Sequence, residues 1–202
     1  MTQPRVAHVG CGYWGKNLAR NFAELGALEA VVDGNPETAR AMAEATGARV
    51  LTFEQVLADD GIAAVSFATP AETHHALAMQ ALEAGKHVYV EKPLALSPED
   101  AEALIAAAAR LDRRLMVGHL LQYHPVFMEM KARVAAGEIG RLTYVYSNRM
   151  SLGKFRTEEN VLWSFAPHDV SMLLSLAGHE PVEVSAQGAV IVTPGVEDWV
   201  TL

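Results

Sequence analysis

The chain has 202 residues, a formal net charge of −8 and a hydrophobic fraction of 50%. This length provides one sizeable core, or one domain and part of a second, and the sequence has no Lys/Arg-rich run of the kind that binds nucleic acid. A single cysteine, Cys11, excludes an internal disulfide and a multi-cysteine zinc site. The sequence shows neither a signal-peptide layout nor an apolar run approaching the roughly 20 residues of a membrane span, so we expect a cytoplasmic protein without a membrane partner.

The first part of the chain predicts a regular alternation of strands and helices. The apolar runs RVAHVG, LEAVVD, ARVL, IAAVSFAT, HVYV and RLMVGHL are separated by segments of helical period. Capping signals mark three helix starts, namely Asn35 with Pro36, Thr52 with Gln55, and Ser97 with Pro98. This alternation predicts an α/β domain over residues 1–121, a Rossmann-type doubly wound parallel sheet with strand order 3-2-1-4-5-6.

The remaining residues, 122–202, have a different pattern that predicts an α+β domain. HPVFMEMKARVAAG is helical, RLTYVYSNRM alternates like a strand, and SLGKFRTEENVLWS suggests a loop or short helix. APHDVSMLLSLAG predicts a helix, and PVEVSAQGAVIV and VEDWVTL predict strands of an open antiparallel sheet. No closing element follows, so we expect this second domain to be incomplete.

The stretch VAHVGCGYWGKN carries a glycine pattern typical of a phosphate-binding loop. Gly10, Gly12 and Gly15 have G-x-G-x-x-G spacing between a predicted strand and a predicted helix, whose first N–H groups attract phosphates. Asp33 ends the second predicted strand, where a carboxylate accepts hydrogen bonds from the adenosine ribose and repels a 2′-phosphate. The pattern predicts a dinucleotide site that prefers NAD to NADP, and the alternative is a glycine turn without a ligand.

Two further loops follow the fourth and fifth predicted strands, where ligands of a doubly wound sheet bind. Thr69 and Pro70 of one loop and Lys92 of the other are expected beside the nicotinamide end of the dinucleotide. A lysine there can hydrogen-bond a substrate hydroxyl and favour its alkoxide, and the alternative is a surface salt bridge between Glu91 and Lys92. The residues expected to contact the cofactor are Gly10, Gly12, Tyr13, Trp14, Gly15, Asp33, Thr69, Pro70, His74, Glu91 and Lys92.

A second candidate for chemistry stands at a predicted helix start in SFAPHDVSML. His168 could take the proton of an alcohol as a general base, because an imidazole titrates near neutral pH. The alternative is that Asp169 starts the helix and His168 is an incidental surface group.

The other histidines give weaker signals. His74 and His75 adjoin at a helix start, where a capping or surface role is favoured over ligand contact. His119 and His124 flank LLQY and either line the mouth of the site or pack. The histidines lack the spacing of a metal site with a matching carboxylate, so we expect no metal.

The glycine loop, ATPAETHHALAMQALEAGKHVYVEKPLAL and FAPHDVSMLLSLAG together resemble the glucose–fructose oxidoreductase / inositol dehydrogenase (Gfo/Idh/MocA) family over essentially the whole chain. Its most specific signature is the E-K-P of residues 91–93. The resemblance implies an NAD-dependent dehydrogenase in which the E-K-P lysine and a histidine of the second domain, here Lys92 and His168, contact the substrate carbinol. The chain departs from many members in two places: Ser164 stands where they have an aspartate, and HLLQYHP where they have an asparagine or arginine.

The stretches GHLLQYHP, YSNRMSLGKFRTEEN and LWSFAPHD look like the sugar-nucleotide branch of that family, which oxidises C3 of a UDP-N-acetyl-hexosamine or its uronate. Cations and amides in the 148–156 segment suit a pyrophosphate or carboxylate, and the alternative is a solvated basic loop. The expected substrate contacts are Lys92, Tyr123, His124, Asn148, Arg149, Lys154, Arg156 and His168. The family's second domain continues through an open sheet that commonly forms the subunit interface, so we expect a truncated chain and, at full length, a homo-oligomer.

Two other functions stay open. One is a non-catalytic NAD(H)-binding sensor or scaffold, which the missing aspartate at Ser164 permits. The other is a dehydrogenase of a free sugar or inositol, against which the basic 148–156 segment argues mildly.

Overall fold

The computed structural model describes residues 3–150 and 160–202. The chain divides into two compact units, Met1–Gly118 and His119–Leu202. Among the described residues, none of the helices has both the length and the apolar character that a membrane crossing requires.

The first unit is built on a six-stranded parallel sheet. Its strands are β1 (Val6–Val9), β2 (Leu28–Val32), β3 (Arg49–Val50), β4 (Ala64–Phe67), β5 (His87–Val90) and β6 (Leu115–Val117). They pair in the order β3-β2-β1-β4-β5-β6, which confirms the predicted doubly wound topology. Because all six strands are parallel, the loops that follow β1, β2, β4 and β5 lie along one edge of the sheet, where such folds bind ligands.

Helices connect these strands. They are α1 (Gly15–Glu24), α2 (Pro36–Thr46), α3 (Phe53–Ala58), α4 (His74–Glu83) and α5 (Pro98–Arg110), with a 3-10 turn at Ala71–Thr73. The predicted capping is confirmed at Asn35, at Ser97 and in the capping box of Thr52 with Gln55. These side chains accept hydrogen bonds from N–H groups that the first helical turn leaves without a partner.

The core of this unit lies between the sheet and its helices. Val65, Phe67 and Val90 of the central strands are 0% exposed, as are Leu82 of α4 and Leu104 of α5. A strand that is covered on both faces is apolar along most of its length, which explains why the central strands could be predicted from the sequence.

The second unit contains α6 (Pro125–Ala135), α7 (Val161–Ala177), and two short antiparallel strands, β7 (Gln187–Ala189) and β8 (Trp199–Thr201). A 3-10 turn at Leu120–Tyr123 precedes α6. The helices and the antiparallel pair confirm an α+β arrangement, but the predicted strand over residues 141–150 is wrong, since these residues have neither helix nor strand. Alternation alone does not make a strand: in the described part of the second unit, β7 and β8 form a two-stranded sheet that residues 141–150 do not join.

Helix α7 begins five residues earlier than the predicted start at Ala166. Asn160 caps it by accepting a hydrogen bond from the Trp163 N–H, and Gly178 ends it in the left-handed conformation at φ 74°. Pro167, which suggested a helix start, lies inside the helix, where a proline removes one hydrogen bond. His168 and Asp169 are therefore in the second and third turns of α7, and the prediction of a helix start at these residues is wrong.

Candidate functional site

The glycine loop joins β1 to α1, and its three glycines meet different surroundings. Gly10 has φ +93°, and a Cβ there would lie 2.8 Å from the carbonyl carbon and oxygen of Ala68. A Cβ on Gly15 would lie 1.7 Å from the carbonyl oxygen of Gly10, so the start of α1 can pack there only without a side chain. A Cβ on Gly12 meets no atom within 4 Å, which leaves the backbone open for a ligand to approach closely.

Asp33 follows β2 and ties two loops together. Its Oδ2 accepts a hydrogen bond from the Cys11 N–H at 2.7 Å and its Oδ1 accepts one from the Asn35 N–H at 2.8 Å. Each oxygen keeps a second lone pair with which it can accept from a ribose hydroxyl. Burial, reinforced by the Asp33 charge, raises the pKa of the Cys11 thiol to about 12, so this cysteine is not a thiolate nucleophile.

Two aromatic residues of the glycine loop face solvent. Tyr13 is 89% exposed and Trp14 is 41% exposed. The Lys16 Nζ lies 5.5 Å from the centre of the Tyr13 ring, within the range of a cation–π contact. Both aromatic side chains are thus accessible at the loop where we expect the cofactor.

His8 lies beneath the glycine loop and was not singled out by sequence reasoning. Its side chain is 0% exposed, with Nε2 3.0 Å from the Gly10 carbonyl oxygen and Nδ1 3.1 Å from the Ser66 hydroxyl. The carbonyl can only accept, so the neutral ring donates from Nε2 and accepts from Ser66 at Nδ1. A histidine inside an otherwise apolar strand directly before the glycine pattern was the available signal.

The E-K-P segment follows β5. Glu91 is 6% exposed and accepts a hydrogen bond from the Tyr89 hydroxyl at 2.9 Å, so the predicted alternative of a surface ion pair with Lys92 does not fit its burial. Lys92 is half-buried, and the bond between it and the buried Pro93 is cis. The lysine is thus placed at the edge of the sheet with buried residues on either side.

The loop after β4 carries Thr69, Pro70 and His74. Thr69 is half-buried and Pro70 exposed, while His74 is 1% exposed, so the expectation of a surface or capping role for His74 is wrong. The His74 ring lies against the carbonyl oxygens of Thr69 and Pro93. The local sequence pattern predicts an exposed side chain for a histidine at a helix start. It does not show the carbonyl partners of His74, because the tertiary fold brings them to the ring.

In the second unit, His168 projects from α7 and is 9% exposed, which excludes the incidental surface role. Its ring lies edge-on to the His119 ring, with centroids 6.2 Å apart. Ser164, one helical turn earlier, is 5% exposed and shares this face of the helix.

The other expected substrate residues are spread over this unit. Tyr123 and His124 are exposed, and the His124 Nδ1 accepts a hydrogen bond from the Val126 N–H at the start of α6. Asn148 is exposed, whereas Arg149 pairs with Asp169, its Nε 2.8 Å from Asp169 Oδ2. Lys154 and Arg156 lie outside the described residues. Within residues 3–150 and 160–202, no group of three or more His, Cys, Asp and Glu side chains could hold a metal ion.

Comparison with known families finds two matches that together cover most of the chain. The model of the Gfo/Idh/MocA oxidoreductase family with an NAD-binding Rossmann fold matches residues 4–119. The model of the Gfo/Idh/MocA C-terminal domain matches residues 127–202.

Individual relatives include two curated dehydrogenases. UDP-N-acetylglucosamine 3-dehydrogenase of Acidithiobacillus ferrooxidans is 33% identical over 207 residues, covering 100% of this chain and 64% of that protein. Inositol 2-dehydrogenase of Rhizobium meliloti is 31% identical over 176 residues, covering 85% of this chain and 53% of that protein. The chain thus spans less than two thirds of the length of either relative.

A solved structure of a family relative has a similar fold. UDP-N-acetylglucosamine 3-dehydrogenase GnnA from Acidithiobacillus ferrooxidans superposes with a TM-score of 0.86 at 33% identity, covering 96% of this chain and 62% of that chain.

Substitutions in the glycine loop should distinguish the glycine that NAD approaches from the glycine that the fold needs for packing. We expect Gly12→Ala to fold like the wild type but to bind NAD weakly, because its methyl group projects into open space on the ligand side. We expect Gly15→Ala to lower the free energy of unfolding by about 1–3 kcal/mol or more, because its methyl group overlaps the Gly10 carbonyl. Urea denaturation and NAD titration of both variants provide the measurement, and equal NAD affinity in Gly12→Ala and wild type would contradict the loop's assignment.

His8 should make stability fall in mild acid. Burial lowers its pKa from 6.5 to about 4, so below pH 6.5 the unfolded chain binds a proton that the folded chain does not. The free energy of unfolding should therefore decrease as pH falls from 6.5 to 4, by on the order of 3 kcal/mol from this group.

The matched variant is His8→Gln, whose Nε2 keeps a donor for the Gly10 carbonyl but does not titrate. Urea denaturation between pH 7.5 and 4 should show a shallower pH dependence in the variant, while both proteins behave alike above pH 7. An unchanged slope would assign the proton uptake to other groups.

Proposed function

Because the chain belongs to the Gfo/Idh/MocA oxidoreductase family, we propose that it is an NAD-dependent dehydrogenase oxidising a secondary alcohol of a sugar nucleotide. The observation that carries the proposal is the set of loops along one sheet edge of the first unit. There the open Gly12 backbone, the Asp33 carboxylate and the half-buried Lys92 follow β1, β2 and β5.

The first unit fits NAD by the shape and donors of its loops. The open space at Gly12 accommodates a pyrophosphate against backbone, and the first N–H groups of α1 stabilise its charge. Asp33 would hold the adenosine ribose. When bound, NAD supplies a nicotinamide ring that takes up the hydride from the carbinol carbon.

Lys92 and His168 are the residues to which we assign the chemistry of the alcohol. The Lys92 ammonium donates a hydrogen bond to the carbinol oxygen and stabilises the negative charge that develops there. The neutral His168 imidazole accepts the hydroxyl proton as general base. Ser164 stands where many members of the family have an aspartate, so we assign proton transfer to Lys92 and His168 alone, and the alternative is a further residue that replaces the aspartate.

The sugar-nucleotide substrate, with C3 of a UDP-N-acetyl-hexosamine or its uronate as the reacting carbon, is supported by the 33% identity to a UDP-N-acetylglucosamine 3-dehydrogenase. Asn148 is exposed and can donate to an anionic oxygen. The charge of Arg149 is balanced by Asp169, so we assign the phosphate charge chiefly to Lys154 and Arg156. A free inositol is the second candidate, favoured by the 31% identity to an inositol 2-dehydrogenase.

The deciding experiment is a substrate panel with NAD, followed by NADH absorbance. We expect NAD to be reduced to NADH in the presence of UDP-N-acetylglucosamine or its uronate, and not in the presence of myo-inositol or free N-acetylglucosamine. UDP alone should compete with the substrate, because the nucleotide part supplies binding. Turnover of inositol alone would favour the second candidate, and NAD binding without any turnover would favour a non-catalytic sensor or scaffold.

The cofactor preference provides a separate prediction. Wild type should bind NAD more tightly than NADP, because a 2′-phosphate would approach the Asp33 carboxylate. Asp33→Ala should narrow this difference in a fluorescence titration with NADH and NADPH. The variant also loses the acceptor of the Cys11 and Asn35 N–H groups, so the ratio of affinities is the informative quantity. Wild-type affinity for NADPH equal to that for NADH would overturn the assignment.

We further propose a cytoplasmic location and a homo-oligomer formed through the sheet of the second unit when the protein is full length. The free buried thiol of Cys11 is compatible with a reducing compartment. Light scattering of the full-length protein tests the assembly, and a monomer at micromolar concentration would contradict it.

A further inference from the structure

His74 occupies a special position among the loops of the first unit. It is the first residue of α4, yet it is 1% exposed. Its Nδ1 lies 2.7 Å from the carbonyl oxygen of Pro93, and its Nε2 lies 2.9 Å from the carbonyl oxygen of Thr69. One ring therefore spans the gap between two loops that are distant in sequence.

The two carbonyls belong to the loops that follow neighbouring strands. β4 pairs with β5 through Phe67 opposite Val90, and the loops diverge immediately afterwards. Backbone hydrogen bonding between the strands continues only to the Glu91 N–H, which donates to the Phe67 carbonyl. Beyond that point, the His74 ring supplies a connection between the Thr69 loop and the loop that carries Lys92.

The Thr69 loop is itself anchored on its other side. The Thr73 hydroxyl lies 2.7 Å from both the Thr69 hydroxyl and the Pro70 carbonyl oxygen. Ala68 stands so close to Gly10 that a Cβ on the glycine would lie 2.8 Å from its carbonyl. A movement of the Pro93 loop is thus resisted, through His74, by a loop packed against the glycine loop.

We propose that His74 is a positioning residue that fixes the Lys92 loop relative to the Thr69 loop and the glycine loop. It does this by placing Nδ1 within hydrogen-bond distance of the carbonyl oxygen of Pro93, the residue directly after Lys92, and Nε2 within hydrogen-bond distance of the Thr69 carbonyl oxygen. A neutral ring donates to one of these two oxygens and packs against the other, whereas an imidazolium donates to both. The proposal rests on the proposed dehydrogenase function for its kinetic consequences, but the fixing of the loop is a property of the chain itself. A displacement of about 1 Å at a reacting group can lower a rate by roughly 10²-fold.

Two amide variants separate the bonds. The amide nitrogen of asparagine takes the place of Nδ1 and that of glutamine the place of Nε2. His74→Asn therefore retains the donor to Pro93, and His74→Gln retains only the donor to Thr69. We expect kcat to fall about 10²-fold in His74→Gln and only a few-fold in His74→Asn, with the NAD KM changing mainly in His74→Asn, whose Thr69 loop is released.

The neighbouring histidine provides the matched control. The His75 Nδ1 faces Asp100 of α5 at 3.6 Å and not either loop. His75→Asn and His75→Gln should leave kcat within a few-fold of wild type and should not differ from each other. Equal losses of kcat in His74→Asn and His74→Gln would overturn the proposal, because a merely structural histidine would not discriminate between its two nitrogens.

Hydrogen exchange provides a readout that needs no turnover. In His74→Gln, the amides of Lys92 and residues 94–96, which adjoin the Pro93 carbonyl that loses its contact, should exchange faster than in wild type, while those of β1 should not change. His74→Asn should exchange at these amides as slowly as wild type. Loss of protection throughout β1 in either variant would show that the variant has not folded. Unchanged exchange in His74→Gln overturns the proposal, whereas a wild type that protects this loop but turns over no substrate overturns only the dehydrogenase function.

Discussion

Replacing Lys92 by alanine is expected to lower turnover by roughly 10²–10⁴-fold, the range typical of a positioned proton-transfer or charge-stabilising group. Lys92 is half-buried directly after β5, between the buried Glu91 and Pro93. The ammonium is therefore presented at a fixed point of the sheet edge, and no other residue of that loop carries a positive charge. NAD affinity should change little, because the glycine loop and Asp33 are untouched.

Two comparisons make the Lys92 result interpretable. Lys92→Met retains most of the side-chain length without the charge, so it should lose turnover as Lys92→Ala does if the ammonium is required. Lys131→Ala removes an exposed lysine from α6 and should leave turnover at the wild-type level. Near-normal turnover in Lys92→Met would mean that the lysine acts only through packing.

The first unit was predictable because its signals are local. The central strands are mostly apolar. Asn35, Thr52 and Ser97 mark helix starts through contacts made within three residues. The right-handed crossover rule then favours the strand order 3-2-1-4-5-6, which is the order that the structure has. The glycine loop could be identified from its spacing because Gly15 packs against Gly10. These residues are five positions apart, so the constraint on both is visible in a short stretch of sequence.

The features that sequence reasoning missed depend on partners distant in the chain. The carbonyl that His74 contacts belongs to Pro93, and the hydroxyl that His8 contacts belongs to Ser66. The local pattern at the start of α4 does not distinguish His74 from an exposed histidine, whereas the apolar strand around His8 indicates its burial but not its partner. The strand expected over residues 141–150 failed for a related reason, because a strand needs a neighbouring strand and alternation does not supply one.

Replacing His168 by asparagine is expected to lower kcat by roughly 10²–10⁴-fold and to flatten the acid limb of its pH profile. His168 is 9% exposed on α7, a helix held by the Asn160 cap and the Gly178 end, so its position is determined by the helix. An ordinary histidine is protonated below about pH 6.5, and a protonated imidazole cannot accept the substrate proton. Asparagine does not titrate, and the residual rate should therefore lose this dependence.

The control for this variant is His179→Asn, because His179 is an exposed histidine just beyond the end of the same helix. It should retain both the wild-type kcat and the acid limb. The profiles are measured as NADH production at saturating substrate between pH 5 and 9. If His168→Asn keeps the wild-type acid limb, the base is another group, and His119, whose ring lies edge-on to His168, is the next residue to replace.

A variant at Ser164 tests the same assignment in the opposite direction. Ser164 precedes His168 by four residues on the same face of α7 and is 5% exposed, so Ser164→Asp places a carboxylate next to the imidazole. A neighbouring negative charge favours the protonated ring, and the acid limb should therefore move to higher pH. In the double variant with His168→Asn the shift should vanish, because the group that responds to the carboxylate is gone. A shift that persists without His168 would show that the carboxylate acts on a different base.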